Sequence, residues 1–315
     1  MADGRTGDPG RRGLLTAGAA LGMGAATAAP GEARAASPTD RNASDAMRQP
    51  LPPPTPFPKA RAPLPGAALE YWDTGGDGQV IVLLHPGTGS HAMWGYQEQV
   101  FPHAGYRVIA YSRRGYLGSD AGPENDPGSA SDDLERLMDH LRIDRFHAVG
   151  SAAGAIVATD FAISRSNRLR SLTLACTIMG LRDPEYVALS NSLRPRGFAE
   201  MPAPFREVGP SYRAANPEGT ARWLELEHLA LSGRRVNQRV TNEITWAALR
   251  ALRVPTLLLG GDSDLWAPPS IYRMYAEAIP NSELVILSEA GHAAHWEQPR
   301  AFNAAVLDFI GRHAG

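Results

Sequence analysis

From Ala68 onward, short apolar runs alternate with stretches of helical periodicity, and this alternation admits few architectures. Residues 79–85, 106–112, 146–150, 172–176, 255–260 and 283–287 are each dense in Val, Ile or Leu without strict polar alternation. That is the pattern of strands covered on both faces of a parallel sheet. Between them, residues 132–141 put Leu134, Leu137, Met138 and Leu141 on one helical face, with Asp132 and Asp133 complementing the helix's positive end. Strands alternating with helices predict an α/β fold, a doubly wound and mostly parallel sheet flanked by helices. Residues 179–253 interrupt the rhythm. They carry helical patterns at 185–193, 219–231 and 242–252, punctuated by Pro195, Pro202, Pro204, Pro210 and Pro217. A helical cap inserted between two strands is expected there, over the carboxyl edge of the sheet, where such folds bind ligands.

The first 36 residues read as an address. Arg11-Arg12 precede an uncharged Ala-, Gly- and Leu-rich stretch at 14–29, and Ala33-Arg34-Ala35 gives small residues around a cleavable bond. A charged start, a short apolar middle and a small-residue exit describe a secretory signal. The paired arginines resemble the twin-arginine signal. The uncharged stretch is shorter and more glycine-rich than a membrane span requires, so cleavage and export are expected, to the periplasm or the medium, with no stable membrane anchor. Residues 37–66, including Pro52-Pro53-Pro54, lack apolar periodicity and read as a Pro-rich disordered spacer in preference to a strap lying on the domain, which leaves 67–315 as the folded domain.

The whole chain of 315 residues carries a formal charge of -2, which gives no reason to expect nucleic acid as a partner. Cys176 is the single cysteine and sits in an apolar run, so no internal disulfide forms and a buried, inert thiol is expected. No cysteine–histidine spacing suits a metal, and no dinucleotide fingerprint is present. No cofactor is expected, and the oligomeric state is not readable.

Four local patterns, in chain order, resemble the α/β-hydrolase superfamily over residues 68–313. His85-Pro86-Gly87-Thr88-Gly89-Ser90 follows a strand and resembles the family's H-G-x-x-G oxyanion loop, with proline in place of the first glycine. The residues from Ser112 to Ser119 resemble the D-x-R-G-x-G-x-S turn, with Ser112 in place of aspartate and Leu117 in place of glycine; the family uses this turn structurally. Gly150-Ser151-Ala152-Ala153-Gly154 closes a strand and opens a helix, as the G-x-S-x-G nucleophile elbow does. The small residues required on either side of that sharp bend are Gly150 and Gly154, so the nucleophile position falls on Ala152, which lacks a hydroxyl. Ser151 is one residue out of register. Last, Gly261-Asp262-Ser263-Asp264 to Pro268 resembles the acid loop, and Gly291-His292 through Glu297 to Pro299 resembles the base motif.

The resemblance implies that His292 is the catalytic base, Asp264 its acid partner, and the backbone N–H groups of Gly87 and Ala153 the oxyanion hole. Asp262 is the competing acid. His295 is expected at the solvent-facing rim, with a contact under the cap as its functional alternative. Trp94, Tyr96 and Trp266 line either the pocket or the core. An alanine at the elbow closes the acyl-enzyme route, because the covalent step needs an oxygen to attack the carbonyl. The leading expectation is a small, fairly apolar carbonyl substrate (an ester, lactone or ketone) processed by the His–Asp pair and the oxyanion hole. Three alternatives stand beside it: Ser151 serves as nucleophile in a conventional serine esterase, the pocket binds a ligand without catalysis, or Ala152 is a substitution introduced to trap substrate.

Overall fold

The computed structural model describes residues 47–231 and 233–313. The proposed leader therefore lies outside the described residues, and among those described no helix is long and apolar enough to cross a membrane.

Among the described residues the sheet has eight strands: β1 Lys59–Leu64, β2 Ala67–Asp73, β3 Val80–Leu84, β4 Arg107–Tyr111, β5 Phe146–Ser151, β6 Leu169–Ala175, β7 Thr256–Gly261 and β8 Ser282–Leu287. Their spatial order is β1-β2-β4-β3-β5-β6-β7-β8. β1 and β2 run antiparallel at one edge, and β3 to β8 are parallel. Every residue of β3 is buried, as the unbroken VIVLL run requires of a strand covered on both sides. The two faces divide it by the strand period of two. Val82 and Leu84 join a core containing Leu134, Leu137 and Phe161, whereas Ile81 and Leu83 join one containing Phe101, Phe302 and Val306.

The helices that supply those faces are α1 Gly95–His103, α2 Ala130–His140 and α3 Ala153–Arg165, with α9 Pro269–Ala278, α10 Ala294–Glu297 and α11 Pro299–Arg312 following later in the chain. Between β6 and β7 the chain leaves the sheet, and its described residues form five α-helices, α4 Pro184–Ser192, α5 Ala203–Glu207, α6 Pro210–Ala215, α7 Pro217–Ala230 and α8 Trp246–Ala251, with a short 3-10 turn at Phe198–Glu200. Two of the prolines that punctuate this stretch, Pro210 and Pro217, open helices, where the missing N–H costs nothing and the fixed φ suits the first turn. The periodicity at 242–252 yields only Trp246–Ala251, which starts after Thr245, whose side chain caps it by accepting the Ala248 N–H; upstream, Thr241 and Asn242 donate their backbone N–H groups to Asp160 on α3.

The expected spacer ends earlier than its composition suggested. Lys59–Leu64 pairs along its length with Ala67–Asp73 and forms the edge of the sheet. Only Ala62 of this strand is buried, so it has no apolar stripe to read, and Lys59, Arg61 and Pro63 are the residues that protect an exposed edge. Further upstream, Met47 is 2% exposed and packs with Trp223, Tyr212 and Val208 of the cap, while Asn216 Nδ2 donates to its carbonyl at 3.0 Å. Phe57 stacks on Trp72 at 5.9 Å. Residues 47–64 are a strap across cap and sheet.

The parallel order places the carboxyl ends of β3, β5, β7 and β8 at one edge. The chain runs outward from β3 to β4 and returns on the other side of β3 as β5, so the crevice between β3 and β5 is the switch point where ligands bind in open α/β sheets.

Candidate active site

β5 ends at Ser151 and α3 begins at Ala153, so Ala152 alone makes the turn, at φ 50° and ψ −113°. A side chain is strained in that region and is held there only by its surroundings. The surroundings are two glycines. A Cβ on Gly150 would lie 2.7 Å from Ala155 Cα, and one on Gly154 would lie 2.0 Å from the carbonyl oxygen of Leu84. The helix therefore starts hard against the end of β3. This close approach brings Gly87, on the loop after β3, to the start of α3, where a Cβ on Gly87 would stand 3.7 Å from that of Ala153. As the first residue of a helix, Ala153 has no intrahelical acceptor for its N–H.

The loop bearing Gly87 is fixed from behind by His85. This buried imidazole donates through Nδ1 to Pro86 O at 2.7 Å and accepts the Arg113 N–H at Nε2, 3.0 Å away. Burial, with the positive Arg113 adding to it, holds its pKa well below 6.5, so the ring is neutral. Arg114 of the same turn donates twice to Asp133 on α2, both bonds 2.7 Å long, and both side chains are buried. Ser112 holds no carboxylate role; its hydroxyl accepts the His91 N–H, and its carbonyl accepts from Ser119.

Asp264 and His292 meet from the loops after β7 and β8. Nδ1 of His292 lies 2.8 Å from Oδ2 and 3.0 Å from Oδ1 of Asp264. Oδ1 also accepts the N–H groups of Trp266 at 2.8 Å and Ala267 at 3.1 Å, which fixes the carboxylate by its own loop. Burial opposes the imidazolium of His292, but the charge and hydrogen bond of Asp264, with Glu207 and Glu297 behind them, carry its pKa above 6.5. Asp262 is turned elsewhere. It accepts the Glu289 N–H at 2.7 Å and holds the turn after β8.

His292 and Ala152 open into one cavity of about 590 Å³, with Gly87 and Ala153 on the sheet side and Glu207 and Trp266 on the other. Arg206 and Arg235 add cationic groups to walls that mix Ile156, Ile178 and Val236 with the polar Thr88, Tyr116 and Asn237. Ser151 is absent from this lining. It is fully buried, is paired with Ala175 in the sheet, and its hydroxyl has no hydrogen-bond partner among the described residues, His292 included.

A profile of the alpha/beta hydrolase family matches residues 81–305. The chain belongs to that family. Among named relatives, a 2-hydroxy-6-oxononadienedioate/2-hydroxy-6-oxononatrienedioate hydrolase from Cupriavidus pinatubonensis is 26% identical over 76% of this chain and 89% of the relative. Among solved structures, a thermophilic esterase from Thermogutta terrifontis superposes with a TM-score of 0.66 at 26% identity, covering 81% of this chain and 99% of its own. The enol-lactonase from Burkholderia xenovorans LB400 shares the fold, with a TM-score of 0.64 at 24% identity over 80% of this chain and all of its own, 100%.

Within this alpha/beta hydrolase, several functional positions were not legible beforehand. Glu297 was visible only as a letter of the base motif. It is buried beneath His292, and its carboxylate accepts the N–H groups of Gly209 at 2.8 Å, Gly291 at 2.9 Å and Ala293 at 3.1 Å. Burial nevertheless raises its pKa to about 7. Its spacing of five from His292 was the available signal. Glu207 had none, because a cap sequence carries no periodic cue for which residue faces the base. His295 is not at the rim: it is 1% exposed, tilted against Trp94 at 4.7 Å and edge-on to Phe302 at 6.1 Å. Burial, with the neighbouring His292, lowers its pKa to about 3, so it is a neutral core ring. Trp94 is core, Tyr96 packs on Trp296 at 5.1 Å, and of the three flagged aromatics Trp266 lines the cavity. Cys176 is buried, and that burial raises its thiol pKa well above 9.0.

Proposed function

We propose that this chain is an exported hydrolase acting on a small, fairly apolar carbonyl compound, an ester or lactone before a ketone, without a covalent acyl-enzyme. His292, oriented by Asp264, removes a proton from water, and the hydroxide adds to the carbonyl carbon. The N–H groups of Gly87 and Ala153 receive the negative oxygen. Ala152 occupies the nucleophile position and supplies no oxygen. The observation that carries this reading is that the turn residue facing the cavity with His292 is Ala152, while the neighbouring hydroxyl of Ser151 is sealed in the sheet. The names of relatives, a 2-hydroxy-6-oxononadienedioate/2-hydroxy-6-oxononatrienedioate hydrolase and an esterase among them, support the carbonyl substrate. Export rests on Arg11-Arg12, the uncharged stretch after them and Ala33-Arg34-Ala35.

The test compares hydrolysis of short-chain nitrophenyl esters by the wild type, Ser151→Ala and His292→Ala, with mass spectrometry for an acyl adduct. Ser151→Ala is expected to retain the wild-type rate, His292→Ala to lose it, and no adduct to accumulate. An acyl group on Ser151, or activity lost with its hydroxyl, overturns the non-covalent reading. A full rate in His292→Ala overturns the assignment of the base, and a wild type with no turnover on any ester leaves a ligand-binding protein.

A further inference from the structure

The cap sets a second carboxyl group beside the base. Glu207, the last residue of α5, lines the cavity that holds Ala152 and His292 and is 6% exposed. Its Oε1 accepts the indole N–H of Trp266 at 3.0 Å, and the Trp266 ring lies 5.8 Å from the His292 ring, so one indole spans the two groups. Oε2 has no hydrogen-bond partner among the described residues. The backbone beside Glu207 is tied to the loop of the base. Two residues on, the Gly209 N–H donates to Glu297 at 2.8 Å, and the contact is so close that a Cβ on Gly209 would fall 2.7 Å from that carboxylate and 2.9 Å from Gly291 N. The charged groups around Glu207 are Asp264, His292 and Arg206. Burial is the largest influence and raises its pKa, Asp264 adds to it, and His292, the Trp266 hydrogen bond and Arg206 pull the other way.

We propose that Glu207 is a second catalytic acid, which protonates the leaving group of an ester or lactone while His292 takes a proton from the attacking water. The proposal rests on the reading of His292 as general base. In a serine enzyme the attacking oxygen is tethered to the chain, and a single imidazole carries its proton to the leaving group. Ala152 tethers nothing. A water held by His292 is free to attack from a place remote from the leaving group, and a proton donor on the cap side serves that oxygen directly. The water gives one proton to Nε2 of His292 and its hydroxide to the carbonyl carbon. The tetrahedral anion collapses, the carbon–oxygen bond to the leaving group breaks, and that oxygen takes the proton of Glu207. The imidazolium proton then passes to the Glu207 carboxylate, and both groups are restored. The sum is ester plus water giving acid plus alcohol.

Glu207→Gln keeps an acceptor for the Trp266 N–H and cannot ionise. It is to be assayed with the wild type and His292→Ala on esters of one acid whose leaving groups run from p-nitrophenol to ethanol. Nitrophenolate departs unprotonated and ethoxide does not, so the variant is expected to lose about 10²-fold on the ethyl ester and little on the nitrophenyl ester. The surviving nitrophenyl rate also certifies a folded site. An equal loss on both esters, or none on either, overturns the proposal while a dead His292→Ala leaves the base reading intact. A wild type that hydrolyses no member of the series, or a fully active His292→Ala, overturns both.

Discussion

The backbone N–H of Gly209 donates to Oε2 of Glu297 at 2.8 Å, and the same oxygen accepts the N–H of Gly291, the residue before the base. One buried carboxylate thus joins the cap to the loop of His292. Replacing Glu297 by Ala strands three buried N–H groups, each costing about 1–3 kcal/mol when unpaired. The variant is expected to lose several kcal/mol of unfolding free energy in urea and to release the cap. Unchanged stability would show that the joint carries no energy.

Ala152→Ser places a hydroxyl at the turn that faces His292. Because Asp264 already orients the ring and Gly87 and Ala153 already adjoin the turn, ester hydrolysis is expected to rise by roughly two or more orders of magnitude. Pre-steady-state kinetics should then show a burst, with an acyl mass on residue 152. A variant no faster than wild type would mean that the imidazole does not reach this position.

The acid limb of the pH–rate profile reports the base. His292 must be neutral to accept a proton, and its pKa is raised above 6.5 by Asp264 against the opposing effect of burial. kcat/KM is therefore expected to fall as the pH drops through a value above 6.5. Asp264→Asn removes the charge that raises the pKa, leaves burial to lower it, and should shift the limb to lower pH along with a reduced maximum. A limb unmoved in that variant assigns it to another group, of which Glu297, with its pKa at about 7, is the first to examine.

Glu98 makes stability depend on pH in the opposite sense from an ordinary surface acid. Burial raises its pKa from 4.5 to about 7, against hydrogen bonds from Thr55 and Gln99. A raised folded-state pKa means that its contribution is complete below the unfolded value and is lost as pH climbs through the folded one. From pH 4.5 to 7 this amounts to about 3 kcal/mol at 1.36 kcal/mol per pH unit. Glu98→Gln should be more stable than wild type at pH 8 and nearly equal at pH 5 by thermal unfolding. A difference independent of pH would reject the assignment.

Met47 tests the strap. Its side chain is buried against Trp223 and Tyr212, and truncation to Ala leaves a cavity between strap and cap. Unfolding free energy should drop by about 2–3 kcal/mol. A neutral effect would mean that the strap lies loosely on the surface.

The six parallel strands β3 to β8, the helical insertion and the residues at the turn of β5 were legible from sequence because each depends on neighbours along the chain. A strand covered on both sides reads as an unbroken apolar run, and the elbow reads as glycines spaced to clear a sharp bend. Lys59–Leu64 was missed for the same reason: an edge strand buries a single alanine and presents no pattern. His295 was misplaced because a histidine's letter does not tell whether Trp94 and Phe302 close over it. What only the tertiary structure decided was the meeting of distant segments. Asp264 and His292 were expected as a pair by resemblance, but Glu207 reaches Trp266 and the cavity of His292, and Gly209 reaches Glu297, only through the fold of the cap onto the sheet. A local pattern records the backbone's own demands on space and hydrogen bonding. It holds no record of which polar group, dozens of residues away, packing will bring to the same buried carboxylate.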